Sequence, residues 1–250
     1  MRWRGERQSD NVEDRRGVSI SRGVKAGGIG GLGLVALVVV GMFLGVDPSM
    51  LLQIAQNVQS PTVVTTDSGA RTAAGDDGRD FVAVVLAETE DVWKGAFQKA
   101  GGAYQEPKLV LFSGAVESAC GMADAAVGPF YCPADQKVYL DLAFFDELHS
   151  RFGASGDFAQ AYVIAHEVGH HVQTLLGITE KVAKLQGRAG AADRNRLSVM
   201  VELQADCLAG MWAHHAQRNR DLLEAGDIEE GLNAASAVGD DRIQKRTQGY

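Results

Sequence analysis

His166-Glu167-Val168-Gly169-His170 is an H-E-x-x-H run. Residues four apart on a helix share a face, with Cβ atoms about 5–6 Å apart, so two imidazoles can reach one zinc ion at about 2.0–2.1 Å. Glu167, next to the first imidazole, takes the position of a general base toward a water on that ion. The flanking run VIAHEVGHHVQTLL is apolar, and two histidines on an apolar helix are costly unless paired or ligated. That weighs against the bland alternative, a chance match on a solvated helix. An open catalytic zinc site needs a third protein ligand. Glu202-Leu203-Gln204-Ala205-Asp206 places two acids four apart on the next long helix. Glu202 would complete a His2Glu set, and Asp206 would accept the N–H of a ligand histidine and fix its tautomer. The alternative is a solvated acidic face; SVMVELQADCLAGMWA is apolar almost all round, so both acids are expected to be buried. His171 lies about 100° round from His170 and, with His149, His214 and His215, is read as a non-ligand.

These residues need elements to hold them. Apolar spacing predicts helices over 81–99, 142–152, 157–176, 193–217 and 227–246, with Asp157 as an N-cap and Gly177 just past a C-terminus. KLVLF (108–112) and KVYLD (137–141) read as short strands, and 113–133 as a long loop. The pattern is α+β: a mostly helical domain with a small sheet.

The N-terminal third reads differently. Residues 26–46 are 21 positions with no charge and no proline, long enough for a single transmembrane helix. Residues 1–25 carry seven Arg or Lys against four acids, a net of +3, which leaves −11 for the rest of a chain whose total is −8. The positive-inside rule then makes 1–25 a cytoplasmic tail and places everything after Asp47 outside the cytoplasm, in contact with membrane lipid through 26–46. A cleaved signal peptide is the rival, disfavoured by the long basic region and the long apolar run. Residues 47–80 read as a linker and 81–250 as the catalytic-sized domain. A mean hydropathy of −0.08 excludes a multi-span transporter, and acidity argues against nucleic acid as a partner. Cys120 and Cys132 flank a loop on the outer side of that topology, which favours a disulfide worth about 3 kcal/mol. Cys207 reads as a small buried residue.

HEVGHHVQTLLG, ELQADCLAG and ACGMADAAVGPFYCPADQKVYLDLAFF together resemble the bacterial neutral zinc metallopeptidases, membrane-anchored proteins with a zincin-type helix. The resemblance implies a Zn2+ cofactor, His166 and His170 as ligands, Glu167 as the catalytic glutamate, Glu202 as third ligand, and a peptide or protein as substrate. It also places an edge strand at 137–141, able to pair with an extended peptide; Tyr139 on it would face either core or cleft. Similar proteins continue past GDDRIQKRTQG with a stretch containing a His and an Arg, so the chain is expected to end short of the family's usual C-terminus. A second reading is a catalytically silent, zinc-stabilised protein that binds peptides at the membrane surface. A purely structural zinc site is disfavoured, because three ligands plus a base describe an open site.

Overall fold

KLVLF and KVYLD, rich in large apolar and β-branched side chains, form the two central strands of a sheet. The computed structural model describes residues 1–17 and 76–238. In chain order they form β1 (Val12–Asp14), α1 (Asp77–Lys99), β2 (Lys108–Phe112), β3 (Ala115–Ser118), β4 (Gly121–Asp124), β5 (Phe130–Cys132), β6 (Lys137–Asp141), α2 (Ala143–Ser150), α3 (Asp157–Leu175), α4 (Ile178–Gln186), α5 (Ala191–Arg220) and α6 (Asp227–Val238). This is the expected α+β architecture, mostly helical with little sheet. The main sheet runs β1-β2-β6-β5, with β1, β2 and β6 parallel and β5 antiparallel to β6. β3 and β4 pair as a separate hairpin. No helix among the described residues is long and apolar enough to cross a membrane; the apolar run 26–46 and most of the linker lie outside them.

The helix α3 is the centre of the body. Phe158, Ala161, Tyr162, Ile164, Ala165, Val168 and Val172 are buried on it, and it packs against α1, α4, α5, α6, β5 and β6. An element enclosed on all sides is apolar all round, which is why the motif reads as an apolar run. Gly177, at φ 72°, takes the left-handed conformation that lets the chain turn out of α3 into α4. At the other end, Asp157 is not the N-cap. That position is Gly156, and the orphan N–H of Phe158 donates to the Glu230 carboxylate of α6 at 3.2 Å.

Further expectations are corrected. First, 113–133 is not a loop but a hairpin followed by the strand β5. Cys132 at the end of β5 is disulfide-bonded to Cys120 in the hairpin turn, the pairing expected. Second, β6 is not an edge strand. It lies between β2 and β5, so the exposed edge beside α3 is β5. Tyr139 is therefore core: it is buried, stacks on Phe130 with ring centres 4.8 Å apart, and donates its hydroxyl to Asp135 at 2.7 Å.

The third correction concerns residues 1–25 as a separate cytoplasmic tail. Val12, Glu13 and Asp14 align with Leu109, Val110 and Leu111 as a fourth strand. The Ser9 amide donates to the Ala83 carbonyl at 2.9 Å and the Arg2 amide to Leu222 at 2.8 Å. The α-ammonium of Met1 lies 2.6 Å from Asp157 and 3.3 Å from Asp227. Strands do not share backbone hydrogen bonds through a bilayer, so residues 1–17 and 76–238 stand on one side of any membrane. The basic residues that suggest positive-inside have other partners here. Arg2 pairs with Asp221, Arg4 with Asp77, Arg7 with Glu90 and Asp91, and Arg16 with Asp76. These four arginines of the leading segment complement acids of the body. The domain also begins earlier than residue 81, because Asp76 caps α1 by accepting the Arg79 amide at 3.1 Å.

Candidate metal centre

His166 and His170 project from α3 toward α5. The buried face of α5 is small, with Ala205, Ala209 and Ala216 around Trp212, so the two helix backbones come close. That approach carries Glu202 to the imidazoles. Glu202 Oε2 is 3.1 Å from His166 Nε2 and 3.4 Å from His170 Nε2. One donor atom from each residue lies within 4.8 Å of the others. Two ligands at about 2.1 Å from a tetrahedral zinc are about 3.4 Å apart, so the set has the dimensions and the N/O chemistry of a zinc site.

The far side of each imidazole is also held. His166 Nδ1 is 2.9 Å from Asp206 Oδ1, which also accepts the Tyr162 hydroxyl at 2.5 Å. His170 Nδ1 is 2.9 Å from Gln173 Oε1. Both rings therefore turn Nε2 toward Glu202. Burial opposes a charge on His166, but Asp206, Glu202 and the nearby Glu167 outweigh it and raise the imidazole to about 10. His170 is raised in the same way, with Glu202 and Glu167 overcoming its burial. Glu202 is held well below the usual carboxylate range by the two imidazoles despite its own burial. Metal-free, the trio is a compact ion cluster, and a cation entering it displaces protons.

Glu167 is buried to 6% exposure and lines a cavity of about 430 Å³ together with both histidines, Glu202, Phe130 and Tyr131 of β5, and Val182 of α4. His166, Glu167, His170, Glu202 and Asp206 are thus brought together. Cys120 and Cys132 stand apart from the metal donors, fastening β5. His171 is turned away: its Nε2–H donates to the Gln105 carbonyl at 2.6 Å, and Tyr131 donates to its Nδ1 at 3.1 Å. Burial lowers its pKa, which keeps it neutral and able to accept. His214 and His215 contact each other.

The helix α5 is less enclosed than its sequence suggests. Met200, Leu203 and Met211 are 59%, 62% and 41% exposed, and Cys207 is exposed. Only the alanine face packs, so the flanking apolar residues overstate the burial of Glu202 and Asp206, which are half-buried at the helix margin. Sequence reasoning missed Tyr162, Gln173 and α4. Tyr162 and Gln173 lie four before His166 and three after His170, on the same helical face as the motif, and that spacing was the available signal.

The H-E-x-x-H helix is crossed by a second helix that brings a glutamate, and together they form a candidate metal centre. Residues 1–250 match the family model described as "Putative neutral zinc metallopeptidase", and the chain belongs to that family. It is 49% identical over 259 residues to "Uncharacterized protein YpfJ" of Escherichia coli K12, covering 100% of this chain and 87% of that protein. It is 41% identical over 218 residues to "Uncharacterized protein Rv2575" of Mycobacterium tuberculosis H37Rv, covering 83% of this chain and 73% of that one. No solved structure matches the chain.

Proposed function

We propose that this protein is a zinc-dependent metallopeptidase in which His166, His170 and Glu202 hold the ion. The observation that carries the reading is the pair of 3.1 and 3.4 Å separations from one Glu202 oxygen to two imidazole nitrogens, with Glu167 on the wall of the same cavity. Zinc, when bound, supplies Lewis-acid polarisation of a water and of the scissile carbonyl. Glu167 orients the attacking water, takes its proton and returns it to the leaving amine. Asp206 and Tyr162 keep His166 in the ligating tautomer. β5 offers an edge beside the cavity along which an extended peptide can pair, with Phe130 and Tyr131 facing the substrate.

The same proposal places the protein at a membrane through residues 26–46, with both flanks of that segment on one side. The Cys120–Cys132 disulfide favours an oxidising compartment. The test is metal analysis and peptide cleavage by the full chain beside Glu167→Gln. The wild type should hold one zinc and cleave. The variant should hold zinc and lose about 10²–10⁴ in rate. Equal cleavage by both would sink the peptidase reading. One zinc with no cleavage by either would support the silent peptide-binding reading, which the commitment of the Tyr131 hydroxyl to His171 favours over Tyr131 as an oxyanion donor.

A further inference from the structure

Gln173 is one helical turn beyond His170 and almost wholly buried, at 1% exposure. Its amide nitrogen is 2.8 Å from the Val201 carbonyl oxygen and 3.0 Å from Gln204 Oε1. Its other end is 2.9 Å from His170 Nδ1. A backbone carbonyl can only accept, so the end facing Val201 is the NH2 group and the end facing His170 is the oxygen. An amide oxygen also only accepts, so Nδ1 of His170 carries a proton, and Nε2, which faces Glu202 at 3.4 Å, is the nitrogen left to give its lone pair once a cation has displaced the proton shared with that carboxylate. The protonation pattern at the candidate ligand follows from a main-chain carbonyl on the neighbouring helix.

We infer that Gln173 is a positioning residue for the metal site: it presents His170 Nε2 to the ion and clamps α3 to α5 next to Glu202. This rests on the zinc reading above. Val201 immediately precedes Glu202, so one side chain sets the orientation of one ligand and the spacing to another. The two imidazoles are held by unlike partners. His166 has a carboxylate, which raises ligand basicity, whereas His170 has a neutral amide, which orients the ring and adds no charge. A residue needed only to fill space here would be apolar, since a buried amide must have every donor and acceptor satisfied.

The experiment compares the full chain with Gln173→Met and Gln173→Glu. Zinc affinity is read by competition with a chromophoric chelator, and the imidazole N–H protons of the zinc-loaded protein by ¹H–¹⁵N NMR. Methionine matches the volume and makes none of these three hydrogen bonds. It should weaken zinc binding about 10–100-fold. The His170 Nδ1–H signal should be lost to exchange while that of His166, held by Asp206, persists. Glutamate keeps the acceptor toward His170 but sets its second oxygen against the Val201 carbonyl, so it loses the clamp. It should keep the His170 Nδ1–H signal that methionine loses, while binding zinc less tightly than wild type. A merely structural role would move the melting temperature without this selective loss at one of two histidines. Zinc binding by Gln173→Met as tight as wild type, or a zinc-loaded wild type whose His170 carries its proton on Nε2 and not on Nδ1, overturns the inference. If Gln173→Met does not fold, the wild-type tautomer and Gln173→Glu decide it. A wild type that binds zinc but cleaves no peptide overturns the peptidase reading and leaves this one standing; a wild type that binds no zinc overturns both.

Discussion

Gly169 and Ala205 face each other in the contact between the two metal-site helices: a Cβ added at Gly169 would stand 3.1 Å from the Ala205 carbonyl oxygen and 3.3 Å from its Cα. Both are backbone atoms, so neither can move aside alone. The glycine inside the H-E-x-x-H motif is a spacer that sets the distance from His166 and His170 to Glu202.

Gly169→Ala should therefore part α3 and α5 by a few tenths of an ångström. The overpacking is expected to cost about 1–3 kcal/mol and to weaken zinc binding although no ligand is altered. Thermal unfolding and a zinc titration check this together. Unchanged stability with unchanged affinity would show that the contact relaxes without consequence.

Asp206→Asn should act on the metal through His166. The amide can turn its oxygen to the ring, but the charge that makes the imidazole a strong ligand is gone. Zinc affinity should fall about 10–100-fold with little change in fold. Chelator competition measures the first and circular dichroism the second. A variant that binds zinc like wild type would remove Asp206 from the site.

The leading strand should respond to acid. Burial opposes ionisation of Glu13, but hydrogen bonds from Lys137, Arg15 and Lys108 win and lower its pKa from 4.5 to about 2. A depressed carboxylate stabilises the folded state above its unfolded value, and that contribution is lost as pH falls through the folded one. Glu13→Gln should be less stable than wild type at pH 6, and the difference should shrink between about pH 4.5 and pH 2. A difference that is flat across that range would mean that the ion pairs contribute no net stability.

Topology can be read by labelling. Gln8 and Lys99 are both exposed, so Gln8→Cys and Lys99→Cys, each made with Cys207→Ser, should react alike with a membrane-impermeant maleimide on intact cells. Labelling of one position and not the other would mean that β1 does not pair with β2 in the cell.

The parts of the site that lie along one helix were legible, because helical spacing is a local property. That is why His166, Glu167 and His170 could be grouped from their numbering. Glu202 and Asp206 could be chosen because an acid pair four apart on an apolar helix calls for a partner. KLVLF and KVYLD were legible as strands because their composition leaves few alternatives. β1 was not. VED is charged, and its partner Leu109 is almost a hundred positions away in register, so nothing local marks it as a strand. The same Arg residues that pair with Asp77, Asp76 and Asp221 imitate the basic flank of a membrane span, and composition cannot tell the two uses apart. Gln173 was missed because its role depends on a carbonyl of another helix, and α5 was judged too buried because apolar composition does not say which face is covered.

The contact between Met1 and α6 also bears on the timing of folding. Met1 reaches Asp227 across a separation of 226 positions, so the leading segment finds this partner only after all the residues between them have been made. At translation rates of about 5–20 residues per second, that is a delay on the order of 10–40 s. During this interval β1 is held to β2 by a three-residue ladder without the Met1 anchor, and a loosely covered strand edge is where chains pair wrongly with one another. Seating of the leading segment should thus be a late step, with a non-local character that slows folding. A chaperone that shields β2 would act in that window.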